Sequence, residues 1–199
     1  MALRTPFRCE SVGSFLRPEK LKQARKDYEN GTISAQQLKA VEDECITDLV
    51  AKQKAAGLHA ITDGEFRRAT WHLDFMWGFD GVAHKKTENG VQFHGEAALI
   101  DDTWLTGKIS AGSHPFVEHF KFVKQFEDEK HIAKQTIPAP AQFFQQMIIP
   151  ANIETTRKFY PTDDELINDI ASGYKKVIKD LYDACLLYTS PSPRDRQKS

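Results

Sequence analysis

The sequence predicts an α/β fold, and three observations point there. The apolar run Leu58-His59-Ala60-Ile61-Thr62 ends at once in Asp63-Gly64-Glu65 and two arginines, the pattern of a buried strand that delivers charge at its carboxyl end. The preceding segment, from Ser34 to Gly57, has helical periodicity, so helix and strand follow one another as a unit. A second amphipathic segment, begun by Thr162 and an acidic first turn, runs to about Ala184.

In chain order, Phe7-Arg8-Cys9-Glu10-Ser11-Val12 is predicted as the first strand, running into the turn Val12-Gly13-Ser14. Pro18 opens a charged helix that stops at Asn30-Gly31, where glycine suits a left-handed cap. Ser34 caps the next helix with Gln37 three residues on, and Leu38, Val41, Cys45, Leu49 and Val50 line one face. That helix ends near Gly57, and Leu58 to Thr62 form the next strand. In residues 66–82 the aromatics Phe66, Trp71, Phe75, Trp77 and Phe79 are expected to form a small satellite core under a long loop. Residues 91–112 alternate and contain Gly95, Gly107 and Gly112, which predicts a β-hairpin excursion. Phe116 to Phe126 then start a helix, and His131 to Pro140 form a strand terminated by Pro-Ala-Pro, whose two prolines lack backbone donors. Leu166, Ile170, Tyr174, Val177, Leu181 and Tyr182 mark the buried face of the final helix.

Residues just past a strand's carboxyl end line the ligand crevice of α/β proteins. Asp63 and Glu65 are therefore candidates for gripping a cationic group, with Arg67 or Arg68 available for an anionic one, a pairing that suits an amino-acid-like ligand. A solvated turn whose charges avoid burial is the alternative. In Val12-Gly13-Ser14 the glycine lets backbone N–H groups approach a ligand closely and the serine adds a hydroxyl, so the turn could hold a carboxylate or simply reverse the chain. Arg17 lies beside it, and Trp71 and His72 follow the charged tip closely enough to close over a ligand.

These motifs together carry a resemblance. Val12-Gly13-Ser14-Phe15-Leu16-Arg17-Pro18, then Thr62-Asp63-Gly64-Glu65-Phe66-Arg67-Arg68, then Trp71-His72-Leu73-Asp74-Phe75, resemble the cobalamin-independent methionine synthase family, in particular the short bacterial members. The likeness continues through Thr136-Ile137-Pro138-Ala139-Pro140-Ala141-Gln142-Phe143 to about Ala184. The resemblance implies a (β/α)8 barrel that transfers a methyl group from 5-methyltetrahydrofolate to homocysteine sulfur, giving methionine. It also implies a zinc ion that holds the sulfur as thiolate, because a free thiol is largely protonated at neutral pH. On that basis Val12, Gly13 and Ser14 would hold the homocysteine carboxylate and Glu65 would take its ammonium group. Pro-Ala-Pro would lie beneath the folate and methyl-transfer region, and Ser11 stands where the short members usually carry histidine.

A (β/α)8 barrel needs roughly 250 residues, and this chain has 199. The expected architecture is thus the N-terminal part of a barrel over residues 1–184, with a helical insertion near 18–33 and the hairpin excursion. Residues 185–199, which end in Ser-Pro-Ser-Pro-Arg-Asp-Arg, form either a non-native tail or a disordered terminus. An unfinished barrel would be inactive alone, and its zinc ligands would fall in later strands. Cys9, Cys45 and Cys185 form no Cys-x-x-Cys, and His72, His84, His94, His114, His119 and His131 form no His-Glu-x-x-His, so no metal site is assigned and these histidines are expected on surfaces and loops.

Net charge is −1 with 28% charged residues, which offers no basic field for nucleic acid, and no apolar run is long enough to span a membrane. The odd cysteine count without a secretory signal fits a reducing cytoplasm. The expected partners are small molecules, homocysteine and methyl-folate. Two rivals stay open: a uroporphyrinogen-decarboxylase-like barrel enzyme, for which Arg17, Arg67 and Arg68 would meet substrate carboxylates, and a non-catalytic ligand-binding fragment.

Overall fold

The computed structural model describes residues 11–85, 91–93, 96–98 and 102–184. The predicted first strand over Phe7 to Glu10, Cys9, His94, Gly95, Cys185 and the segment 185–199 lie outside the described residues.

Two helices come first, α1 (Glu19–Glu29) and α2 (Ala35–Ala55). Gly31 takes a φ of 71° just past α1, a conformation that favours glycine. At Ser34 the capping box forms: its hydroxyl accepts from the Gln37 N–H while the Gln37 side chain accepts from the Ser34 N–H. Cys45, Ile46, Leu49 and Val50 are the buried stripe of α2. Gly57, at φ 79°, then turns the chain into β1 (Ala60–Ile61).

β1 pairs in parallel with β6 (Ile132–Ala133), Ala60 opposite Ile132 and Ile61 opposite Ala133. The Ile132 N–H donates to His59 O at 2.8 Å and the Lys134 N–H to Ile61 O at 2.9 Å, so the ladder covers most of the strand predicted at Leu58 to Thr62. A parallel pair needs a long crossover. Here the crossover contains the short helix α3 (Leu73–Met76), an antiparallel excursion and helix α4 (Pro115–Lys124). The described residues form an α/β part-structure with this one parallel pair, not a closed barrel.

The excursion begins earlier than its glycines suggested. β2 (Asp80–Lys85) pairs antiparallel with β5 (Asp102–Ser110), and β3 (Val91–Phe93) pairs with β4 (Glu96–Ala98). The register shifts between Asp80 and Val82, where Gly81 has φ 80° and an added Cβ would lie 2.4 Å from Lys108 O.

Phe66, Phe75 and Phe79 are buried in the main core rather than in a satellite, packed with Phe116, Phe120, Phe143 and Tyr174. Phe75 is the hub, with ring centroids 5.2 Å from Phe116 and 5.1 Å from Tyr174. Three more helices complete the described chain: α5 (Pro140–Ile148), α6 (Ile153–Phe159) and α7 (Asp163–Asp183). Pro140 opens α5 at its first turn, where a missing N–H costs nothing, so it starts a helix, and the strand predicted from His131 to Pro140 is confined to Ile132–Ala133. Thr162 caps α7 by accepting from the Glu165 N–H. Leu166, Ile170, Tyr174, Val177 and Leu181 are buried, but Tyr182 is 68% exposed, because it lies about 100° around the helix from Leu181. No helix among the described residues is long and apolar enough to cross a membrane.

Candidate functional site

The end of β1 turns sharply, and the turn is held from several sides. Buried Gln53 on α2 donates to Thr62 O and accepts from the Thr62 N–H, satisfying the strand's last residue. The Thr62 hydroxyl accepts from the Gly64 N–H, and Asp63 Oδ1 accepts from the Glu65 N–H at 2.9 Å. Gly64 has φ 62°, and an added Cβ would fall 2.3 Å from Leu49 Cδ2, so backbone and core meet here with no room for a side chain. Glu65 follows at φ 58°, a left-handed conformation that costs a non-glycine residue roughly 1–2 kcal/mol and persists only where neighbours fix it.

Those neighbours are identifiable. The Phe15 N–H donates to Gly64 O at 3.1 Å, which draws the segment Val12 to Arg17 over the turn. Ser14 Oγ then donates to Glu65 Oε2 at 2.6 Å. Arg68 Nη1 reaches Glu65 Oε1 at 3.1 Å, and the Thr136 hydroxyl donates to the same oxygen at 3.2 Å. Arg17 donates to the carbonyls of Glu65 and Arg68, and Arg25 on α1 to those of Arg68 and Phe66. Two residues predicted 51 positions apart as parts of one site, Ser14 and Glu65, are thus in direct contact.

Other candidates are placed differently. Asp63 is 4% exposed and closes the turn internally; burial pushes its carboxyl above the usual range, and Oδ2 has no hydrogen-bond partner among the described residues. Neither arginine of the Arg67-Arg68 pair is left for an anionic ligand. Arg67 turns back to α2, pairing with Glu42 at 3.0 Å and with Asp43, its guanidinium over the Phe122 ring. Arg68, 1% exposed, is committed to Glu65 and Thr136. Arg17 donates to two backbone carbonyls through Nη2 alone, whereas Arg67 and Arg68 are paired with carboxylates, which withdraws two of the three arginines from the basic surface that a polycarboxylate substrate would need.

Val12 is exposed, and Gly13, at φ 92°, has open space where a Cβ would stand. Trp71 is 48% exposed and packs on the His72 ring at 4.6 Å between centroids, while burial lowers the His72 pKa. Trp71 touches the carboxylate cluster through its carbonyl, which accepts from Arg68 at 3.3 Å.

Of the histidines expected on surfaces or loops, His114 is buried in the core and His119 is half-buried on α4. His114 caps α4, with Nδ1 accepting from the Phe116 N–H and Nε2 on Phe75 O at 2.9 Å, a pattern that places the proton on Nε2. His119 packs against Phe116, and burial, with Arg67 and Arg68 nearby, lowers its pKa to about 3. No group of three or more His, Cys, Asp or Glu side chains among the described residues is arranged to hold a metal ion.

Sequence reasoning did not assign Thr136 or Arg25 to the site. Arg25 lies in a charged helix whose other cations face solvent, and Thr136 is 71 residues from Glu65, so only the β1–β6 pairing brings it close.

Residues 7–131 match the catalytic domain of the cobalamin-independent synthases. The uncharacterized protein YxjH of Bacillus subtilis is 37% identical over 185 residues, which are 93% of this chain and 47% of the relative. A methionine synthase of Sulfolobus acidocaldarius is 23% identical over 177 residues, 86% of this chain and 47% of that protein. A crystal structure from Listeria monocytogenes, assigned to the vitamin-B12 independent methionine synthases, superposes with a TM-score of 0.68 at 35% identity, covering 90% of this chain and 49% of its own. The chain spans about half the length of the curated relatives it matches. By sequence and by fold, the chain belongs to the cobalamin-independent methionine synthase family, matching its catalytic domain.

Proposed function

We propose that this chain carries the amino-acid-binding part of a folate-dependent methyltransferase that moves a methyl group from 5-methyltetrahydrofolate to homocysteine sulfur. The observation that carries the proposal is the Ser14 Oγ to Glu65 Oε2 contact at 2.6 Å, built at a strand's carboxyl end on a left-handed glutamate. A buried carboxylate with an adjacent hydroxyl suits an ammonium group. The N–H groups of Gly13 and Ser14 stand a short distance along the same segment, where an α-carboxylate would complete recognition of an amino acid. A carboxylate beside a hydroxyl, with backbone N–H groups on the same segment, favours this function over a polycarboxylate decarboxylase, whose substrate would need Arg67 and Arg68, which are paired with carboxylates here.

Methyl transfer itself would proceed by direct displacement at sulfur, with no covalent protein intermediate. The thiol-activating zinc of the family has no site among the described residues, and no step is assigned to it. Activity as a complete methyltransferase would draw on the half of the relatives' length that this chain does not span. Isothermal titration with L-homocysteine tests the proposal: the chain should bind it weakly, with the heat lost in Glu65→Ala. No heat in the parent chain, or an unchanged isotherm in the variant, would remove this function.

A further inference from the structure

The Glu65 carboxylate is held asymmetrically, and its surroundings explain how. A buried arginine beside a carboxylate commonly makes two parallel bonds, one to each oxygen. Arg68 does not. Its Nη1 reaches Glu65 Oε1 at 3.1 Å and Trp71 O at 3.3 Å, while its Nη2 turns to Thr136, meeting O at 2.8 Å and Oγ1 at 3.0 Å. The Thr136 hydroxyl, accepting from Arg68, must aim its own proton elsewhere, and it donates to Glu65 Oε1 at 3.2 Å. The Arg68 guanidinium lies over the Phe116 ring, its carbon 4.5 Å from the centroid, so packing fixes the plane of the fork.

We infer that Arg68 and Thr136 are positioning residues for Glu65, anchoring Oε1 from two directions so that Oε2 is left to Ser14 and to the ligand's ammonium group. This rests on the amino-acid-binding function proposed above and extends it to residues outside the expected ligand contacts. Arginine is required because one planar group must serve four acceptors on Glu65, Trp71 and Thr136, which a lysine ammonium with three donors cannot do. A hydroxyl is required at position 136 because it both accepts from Arg68 and donates to Glu65.

The test is calorimetric titration of the chain with L-homocysteine and with 4-mercaptobutanoate, which keeps the thiol and carboxylate but lacks the ammonium group. Thr136→Val is nearly isosteric and deletes the hydroxyl; Arg68→Met deletes the fork. Thr136→Val should weaken homocysteine roughly 10-fold, as expected for one lost hydrogen bond to a charged group, and leave the analogue within about 2-fold. Arg68→Met should cost more, about 100-fold on the same scale, again on homocysteine alone, and Thr136→Ser should restore binding to near the parent value. A merely structural role would weaken both ligands by the same factor, and that result, or no change in Thr136→Val, would overturn the inference while leaving the binding function intact. Absence of homocysteine binding by the parent chain would overturn both.

Discussion

Helix α7 and the turn at residues 63–68 both contribute fully buried side chains, but they bury different things. α7 hides an apolar stripe, Leu166, Ile170, Tyr174, Val177 and Leu181, and leaves its charges in water. The turn hides charge: Asp63 and Glu65 are each 4% exposed and Arg68 1%. Burying ions costs several kcal/mol each unless every one is paired, so charge is an uneconomical way to hold a fold together. A stripe of leucine and isoleucine at helical spacing would stabilise this chain more simply. The contrast identifies α7 as a stability element and the turn as a place where stability has been given up for a fixed array of polar groups, as functional sites commonly require.

Substitutions can break or sharpen that contrast. The largest effect should come from Gly64→Ala. It places a Cβ 2.3 Å from Leu49 Cδ2 at a φ of 62°, and should cost about 4 kcal/mol in urea unfolding, combining overpacking with left-handed strain. It should also disturb homocysteine binding, since the turn carries Glu65. Leu166→Ala, at the fully buried start of the α7 stripe, should cost about 3 kcal/mol while leaving ligand affinity unchanged in the surviving folded protein. Loss of affinity there without loss of stability would break the comparison.

A third prediction concerns pH. Burial lowers the His119 pKa from 6.5 to about 3, so the unfolded chain takes up a proton that the folded chain refuses. The sign follows: stability is greatest above pH 6.5 and falls as pH drops toward 3. Between pH 6.5 and 5 this one group should remove about 2 kcal/mol. His119→Gln should flatten that part of the profile in chemical denaturation, and an identical slope in the variant would show that other groups carry it. The smallest effect is at the cap: Thr162→Ala should cost about 1 kcal/mol by thermal melting, with no effect on binding.

Much of α7 was legible because its signals are local. A capping threonine, three acidic residues and a 3.6-residue stripe need no distant partner to be understood, and only Tyr182, just off the stripe, was misplaced. The capping box at Ser34 was legible for the same reason. At the turn, the sequence revealed that a strand ends in charge and, through family resemblance, that the segment carrying Ser14 lies against Glu65. It did not reveal which arginine faces which way. Consecutive side chains leave a turn in directions set by its dihedral angles, and two left-handed residues at 64 and 65 send Arg67 to α2 and Arg68 beneath Glu65. Thr136 was invisible because its role depends on the β1–β6 register, and the early start of the hairpin at Asp80 was hidden by a bulge at Gly81.

The most direct test of the central claim is a crystal structure of the chain soaked with L-homocysteine. The account predicts the ligand at the end of β1, its ammonium group within hydrogen-bond distance of Glu65 Oε2 and its carboxylate against Gly13 and Ser14, with Arg68 and Thr136 still on Oε1. Homocysteine bound elsewhere, or bound there with its ammonium group away from Glu65, would contradict it.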